Sequence, residues 1–175
     1  AAQAYALLFG HIEQTRSYCA QLLLRQGDEI LLGLHTRAGV FPGRHSGLIA
    51  DMSGPGEDAG LQAITIAADA YGVKLDPKRC KTVGLLEFID DDSPRHISEE
   101  LQIICDAPAA VRQALRTPSE ATWLPRWYRI DDIPYGNMPA DDRVWYPPVL
   151  QANRFVSGRF FFSGETLRSC VLWEE

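Results

Sequence analysis

The sequence is short of positive charge, of cysteine and of long apolar runs, and each shortage removes a class of function. Its 17 Lys and Arg are outnumbered by 23 Asp and Glu, a net charge of −6. Such a surface does not attract a nucleic-acid backbone or an anionic membrane non-specifically, because both need clustered positive charge. No apolar run approaches the roughly 18 residues that cross a bilayer as a helix, so no membrane insertion is expected. Cys19, Cys80, Cys105 and Cys170 are scattered, with no C-x-x-C pair and no His at ligand spacing. That scatter predicts reduced, mostly buried thiols in a reducing intracellular compartment, mitochondrial matrix or cytoplasm, over disulfides or zinc. The opening AAQAYALLFGHIEQTR has no basic stretch followed by a long apolar core, which predicts no secretory signal. SGPGE at 53–57 is not followed by the Gly-Lys-Ser/Thr of a phosphate loop, and no Ser-His-Asp or Cys-His order suggests a nucleophile.

What is present is ordinary globular composition: 175 residues, 46% hydrophobic and 23% charged. That length suits one domain spanning 1–175, with 1–16 as an N-terminal arm. Residues 18–25 and 29–35 are apolar runs around Gln26-Gly27-Asp28, a hairpin signal. The stretch 37–46 is loop, punctuated by Gly and Pro. Residues 59–71, rich in Ala and closed by Gly72, predict a helix whose first turn Gly60 weakens. Strands are predicted over 81–89, 100–105 and 122–130, with a short helix over 109–116. A second main helix is expected over 141–155, capped by Asp141 or Asp142 and disturbed by Pro147 and Pro148. A closing hairpin pairs 158–163 with 166–173 about Gly164. Strands on both sides of two helices give an α+β fold, an α/β/α sandwich on a mixed central sheet.

WYRIDDIP at 127–134 and NMPADDRVWYP at 137–147 resemble the C-terminal third of the Nudix hydrolases, closest to the MutT-type enzymes that sanitise oxidised purine nucleoside triphosphates. ILLG at 30–33, the Gly-rich loop and Gly47 stand where that family leads into its signature, while 90–118 fits less well. The signature is G-x5-E-x7-R-E-U-x-E-E-x-G-U, U being aliphatic. Anchored on Glu57 and on Gly72-Val73, its spacing is kept in 47–73 and its chemistry is not. The family's Arg falls on Thr65, its adjoining Glu on Ile66 and its paired glutamates on Asp69 and Ala70. Positions 66, 69 and 70 share one helix face, where three carboxylates would hold Mg²⁺ against a diphosphate. Ile, Asp and Ala leave Glu57 and Asp69 as remnants, so no catalytic residue, metal site or cofactor is expected, with Mg²⁺ the cofactor if the chain is active. Ala59, Ala63, Ile66, Ala67 and Ala70 form an apolar patch at helical spacing, to be covered by a neighbouring loop, by a partner or by the protein's own core.

The resemblance also implies a base pocket, with Asp141, Asp142 and Trp145 reading a purine edge, Ser46 in place of the family's Asn and Trp123 in the pocket lining. Pro139 stands where the family stacks a Trp, and a filled pocket is expected. A solvated acidic helix start explains Asp141-Asp142 equally well. Arg44, His35 and His45 precede the signature and are expected to face solvent or phosphates. Three readings stand: a non-catalytic Nudix-fold subunit bound to other proteins in a larger assembly; a nucleotide-binding sensor; and an active nucleoside di- or triphosphate pyrophosphohydrolase with relocated ligands such as Glu57, Asp69, Asp51 or Glu100. The dismantled signature puts the first ahead.

Overall fold

The computed structural model describes residues 14–175. Most of the predicted arm therefore lies outside the described residues; its last two members, Thr15 and Arg16, already belong to a strand. Along the chain come β1 (Thr15–Gln26), β2 (Glu29–His35), β3 (His45–Ser46), β4 (Leu48–Asp51), α1 (Glu57–Ala70), β5 (Cys80–Asp90), β6 (His96–Asp106), α2 (Ala110–Ala114), β7 (Trp123–Arg129), α3 (Asp142–Leu150), β8 (Val156–Ser163) and β9 (Thr166–Glu174). Short 3₁₀ turns precede β5 and link β7 to α3.

The strands form one mixed sheet in the order β3-β2-β1-β6-β5-β8-β9, with β4 added beside β1 and β7 beside β2. The predicted first hairpin forms, but β1 and β2 pair over only three positions beside the turn, Leu24↔Leu31 to Gln26↔Glu29. Beyond that the strands part, and β4 takes over the edge of β1 from Leu22↔Leu48 to Cys19↔Asp51. The sequence predicts loop at β3 and no element at β4, because two- and four-residue strands are too short to show a period. The other edge of β1 runs parallel to β6 from Thr15↔His96 to Arg25↔Asp106.

The alternation of β1 sorts the core into two layers. Ala20, Leu22 and Leu24 pack with Leu101 and Ile103 of β6 against α1, whose buried residues Gly60, Ile64 and Ala68 recur every fourth position. Leu23 and Ile104 pack with Leu86, Val156 and Phe160 against Trp145, Tyr146, Val149 and Leu150 of α3. The two main helices therefore cover opposite faces, giving the expected α/β/α arrangement. Helix α1 stops at Gly72, where φ is +76° and the N–H groups of Gly72 and Val73 close on Asp69 and Ala68.

Helix α3 ends five residues before the predicted boundary. Pro147 and Pro148 lie inside it without a donor for the preceding turn, and Asn153, in the left-handed region at φ +52°, turns the chain into β8. Neither Asp141 nor Asp142 caps it with a side-chain hydrogen bond. The cysteine expectation needs correction: Cys80 and Cys105 face each other across β5 and β6, Cα atoms 4.1 Å apart, and form a disulfide. Their separation of 25 residues hides a pairing that only strand register creates. Cys19 and Cys170 are free and half-buried. No helix among the described residues is long and apolar enough to cross a membrane.

Candidate functional site

On the α3 side the sheet is not filled to its end. A cavity of about 510 Å³ opens between the outer parts of β1, β6, β5 and β8, the loop after β2 and the entry to α3. Its volume is that of a small-molecule site, commonly about 300–1,000 Å³. Phe88, Phe162, Met138 and Pro139 contribute apolar wall, and Val40 and Phe41 of the loop after β2 form part of the rim. The expectation of a filled pocket is therefore corrected. The indole of Trp123, which was to fill it, lies on the other side of the sheet. Trp123 is 3% exposed, edge-on to Tyr71 with ring centroids 5.2 Å apart, and its Nε1 donates to the Ser46 carbonyl at 3.1 Å. It occupies space that Gly33 leaves empty: a methyl group on Gly33 would stand 2.2 Å from the indole.

The inner end of the cavity is built from polar side chains withdrawn from water. Asp141 is 5% exposed and Asp142 2%, which excludes the solvated helix start. Trp145, fully buried, does not line the cavity; its Nε1 donates to Asp141 Oδ2 at 3.0 Å and fixes that carboxyl from behind. Asp142 Oδ2 is buried with no hydrogen-bond partner. Glu100 completes the acidic group. Gln21 Nε2 donates to its Oε1 at 2.8 Å, Gln102 Nε2 donates to the same oxygen, and the Cys19 thiol donates to Oε2 at 3.5 Å. The amide oxygen of Gln21 in turn accepts from Gly47 N at 2.8 Å and from Tyr146 Oη at 2.9 Å.

Burial, reinforced by the charge of Glu100, pushes the Asp141 carboxyl up to about 7. Burial also raises Asp142 well above the carboxylate range, with Asp141 and then Glu100 adding repulsion. Glu100 is raised by burial against the opposing hydrogen bonds from Gln102, Gln21 and Cys19. Near neutrality the pair therefore shares protons, and a protonated carboxyl can donate beside an ionised one that accepts.

Ser46 does line the cavity, but its hydroxyl proton is committed to the Gly47 carbonyl at 2.7 Å, and His35 Nε2 lies 2.7 Å from the same oxygen. His35 is buried, contrary to its expected exposure, and burial lowers its pKa to about 4, with His45 contributing. His45 is half-buried between Tyr128 Oη and the Asn137 amide, each 3.0 Å away. Arg44 lines the cavity and is tied to Glu165 at 2.9 Å.

The signature helix offers little beside this. Ile66 is 67% exposed, and Ala70 and Asp69 also face solvent. Asp69 pairs with Lys74, whose hydrogen bond and charge hold its carboxyl below the usual range. Glu57 begins the helix and Asp69 lies near its end, about 18 Å apart along the axis at 1.5 Å per residue. Glu57 borders a separate hollow of about 350 Å³ with Met52, Glu99 and Phe155. Among the described residues no group of three His, Cys, Asp or Glu is placed to hold a metal ion. These positions therefore do not fit the Mg²⁺ cradle that the signature implies. The site residues that sequence reasoning missed are Gln21, Phe88, Met138 and Tyr146; Glu100 entered it only as a relocated ligand. Their signal was faint: Gln21, Glu100 and Gln102 are the polar members of the mostly apolar runs 18–24 and 100–105.

No family model matches the sequence. Among curated proteins, it is similar to the oxidized purine nucleoside triphosphate hydrolase of Danio rerio, 50% identical over 48 residues, covering 27% of this chain and 30% of that protein. It is also similar to the enzyme of that name from Mus musculus, 34% identical over 59 residues, covering 33% and 38%. The matched stretches thus span little more than a third of these relatives at most. By structure it is similar to the mutator MutT protein of Bacillus halodurans, TM-score 0.67 at 14% identity, over 89% of this chain and 97% of the other. A NUDIX-family hydrolase from Clostridium perfringens gives 0.52 at 13% identity, over 78% and 97%. Local sequence likeness to the purine hydrolases thus goes with a fold shared with MutT across most of the chain, and the protein has a MutT-like Nudix fold.

Proposed function

We propose that this protein recognises a purine nucleoside or nucleotide, held in the cavity with the edge of its base against Asp141 and Asp142. The observation that carries the reading is the unpartnered, buried Oδ2 of Asp142 at an open cavity, beside a second carboxyl fixed by Trp145. A buried polar atom without a partner is expensive, and a ligand donor is the group that satisfies it. An ionised and a protonated carboxyl side by side offer acceptors and a donor together. That set matches an oxopurine edge, which presents two N–H donors next to a carbonyl. The apolar walls suit the faces of a flat ring. The names of the two curated relatives agree with purine recognition. The expectation of a non-catalytic subunit in a larger assembly gains nothing from the cavity or from those names.

Calorimetric titration with guanosine, 8-oxoguanosine and cytidine tests the proposal. Saturable binding of the purines, weakened about tenfold or more by Asp142→Asn and absent for cytidine, is the expected result. Equal heats for all three nucleosides, or none, would reject it. A second reading, that a bound nucleotide is also hydrolysed, is favoured by the hydrolase names of the relatives. In that case Mg²⁺ would be supplied with the nucleotide, and turnover of a nucleoside triphosphate lost on Asp142→Asn supports it.

A further inference from the structure

Beyond the proton-sharing acids at its inner end, the cavity wall carries more acidic than basic side chains, Asp51 and Asp90 against Arg143. Glu100, Asp141 and Asp142 stand at its inner end. Asp51, at the end of β4, and Asp90, at the end of β5, line it from either flank of β1 and β6. Glu165 is the sixth lining carboxylate, and it neutralises Arg44. Arg143 is left as the one lining guanidinium without a carboxylate partner among the described residues; its NH2 group donates to the Tyr135 carbonyl at 3.4 Å. The ring nitrogens of His96 lie 2.9 Å from the hydroxyls of Thr15 and Ser17. The metal cradle that would offset a polyphosphate is absent from this set, since positions 66 and 70 are Ile and Ala and Asp69 is committed to Lys74.

We infer that the cavity takes purine ligands of low negative charge, nucleosides and nucleoside monophosphates, in preference to nucleoside triphosphates. This rests on the purine reading above and narrows its ligand class. Asp51 and Asp90 line the cavity beyond Asp141 and Asp142, so phosphates carried along that wall meet them. Each added negative charge then meets carboxylates within a Debye length, without a counterbalancing cluster of cations. Asp142 Oδ2, buried and unpartnered, is the independent sign that a ligand is held there at all.

The test is a calorimetric series with guanosine, GMP and GTP at low ionic strength, each without and with Mg²⁺. Affinity is expected to fall by about threefold to tenfold for each added phosphate, and the gap to narrow as salt is raised. In the variant Asp51→Asn with Asp90→Asn, GTP should gain affinity relative to guanosine. GTP binding more tightly than guanosine, whether without Mg²⁺ or only with it, would overturn the inference while leaving the purine reading intact. Failure of all three to bind would instead remove the purine reading, and this inference with it. If the double variant does not fold, the order of affinities in the unmodified protein decides alone.

Discussion

Burial, more than sequence position, gives Asp141 and Asp142 their chemistry. The sequence offered two equal accounts of the pair, and nothing in the letters separates a solvated helix start from a buried reading head. The separation comes from Trp145, one turn later in α3, which holds Asp141 from the core side at 3.0 Å. The consequence is measurable without any ligand. The Asp141 carboxyl, ordinarily near 3.8, is raised to about 7 in the folded protein. The folded state therefore binds more protons than the unfolded state between those values, and stability falls as pH rises through that window. Asp141→Asn removes the penalty of ionising a buried acid. Its thermal stability should exceed that of the parent at pH 8, by an amount on the order of 2 kcal/mol, and approach it at pH 4. Urea unfolding of both proteins at the two pH values checks this; a gain that is equal at both would contradict it. Gly33→Ala drives a methyl into the Trp123 indole, and an overpacking loss of about 1–3 kcal/mol or more is expected in the same assay.

Helix α1 shows how far an element can be read. Its position and its Gly72 stop were legible, since an Ala-rich run and a C-terminal Gly report local physics. The direction of its apolar patch was not. Ile66 and Ala70 project to solvent because Gly60, Ile64 and Ala68 already supply the contact with β1 and β6. Restoring carboxylates there tests whether the geometry of the helix survives its altered chemistry. Ile66→Glu with Ala70→Glu should change stability by less than about 1 kcal/mol at these exposed positions. Together with Asp69 the variant should bind Mn²⁺ at least tenfold more tightly than the parent, read by paramagnetic relaxation of water. Equal Mn²⁺ affinity in both proteins would show that the helix does not present these positions on one face. The β5–β6 pair carries the other element-level prediction. Cys80→Ala with Cys105→Ala opens a closed loop of 25 residues, and a loss of about 3 kcal/mol follows from chain entropy. Chemical denaturation measures it, and an unchanged midpoint would mean that the unfolded chain is already restrained.

At the scale of the whole molecule, the layer arrangement was legible because each of its parts repeats a period: two in β1, β6 and β8, and close to four in α1. The cavity was not legible, because it is made where the layers fail to meet. Its walls come from β5, β8 and the entry to α3, and its polar end joins Gln21, Glu100 and Asp142 from three separate elements. No local pattern links residues so far apart in sequence. The Trp123 misplacement has the same origin, since the space that indole occupies is left open by Gly33, ninety residues earlier. A crystal structure of the protein grown with guanosine shows whether the cavity holds a purine base by its edge. The base is expected between Phe88 and Met138, with its N–H groups within hydrogen-bond distance of the Asp141 and Asp142 carboxyls. Guanosine bound elsewhere, or seated in the cavity with its base turned away from both carboxyls, would contradict it.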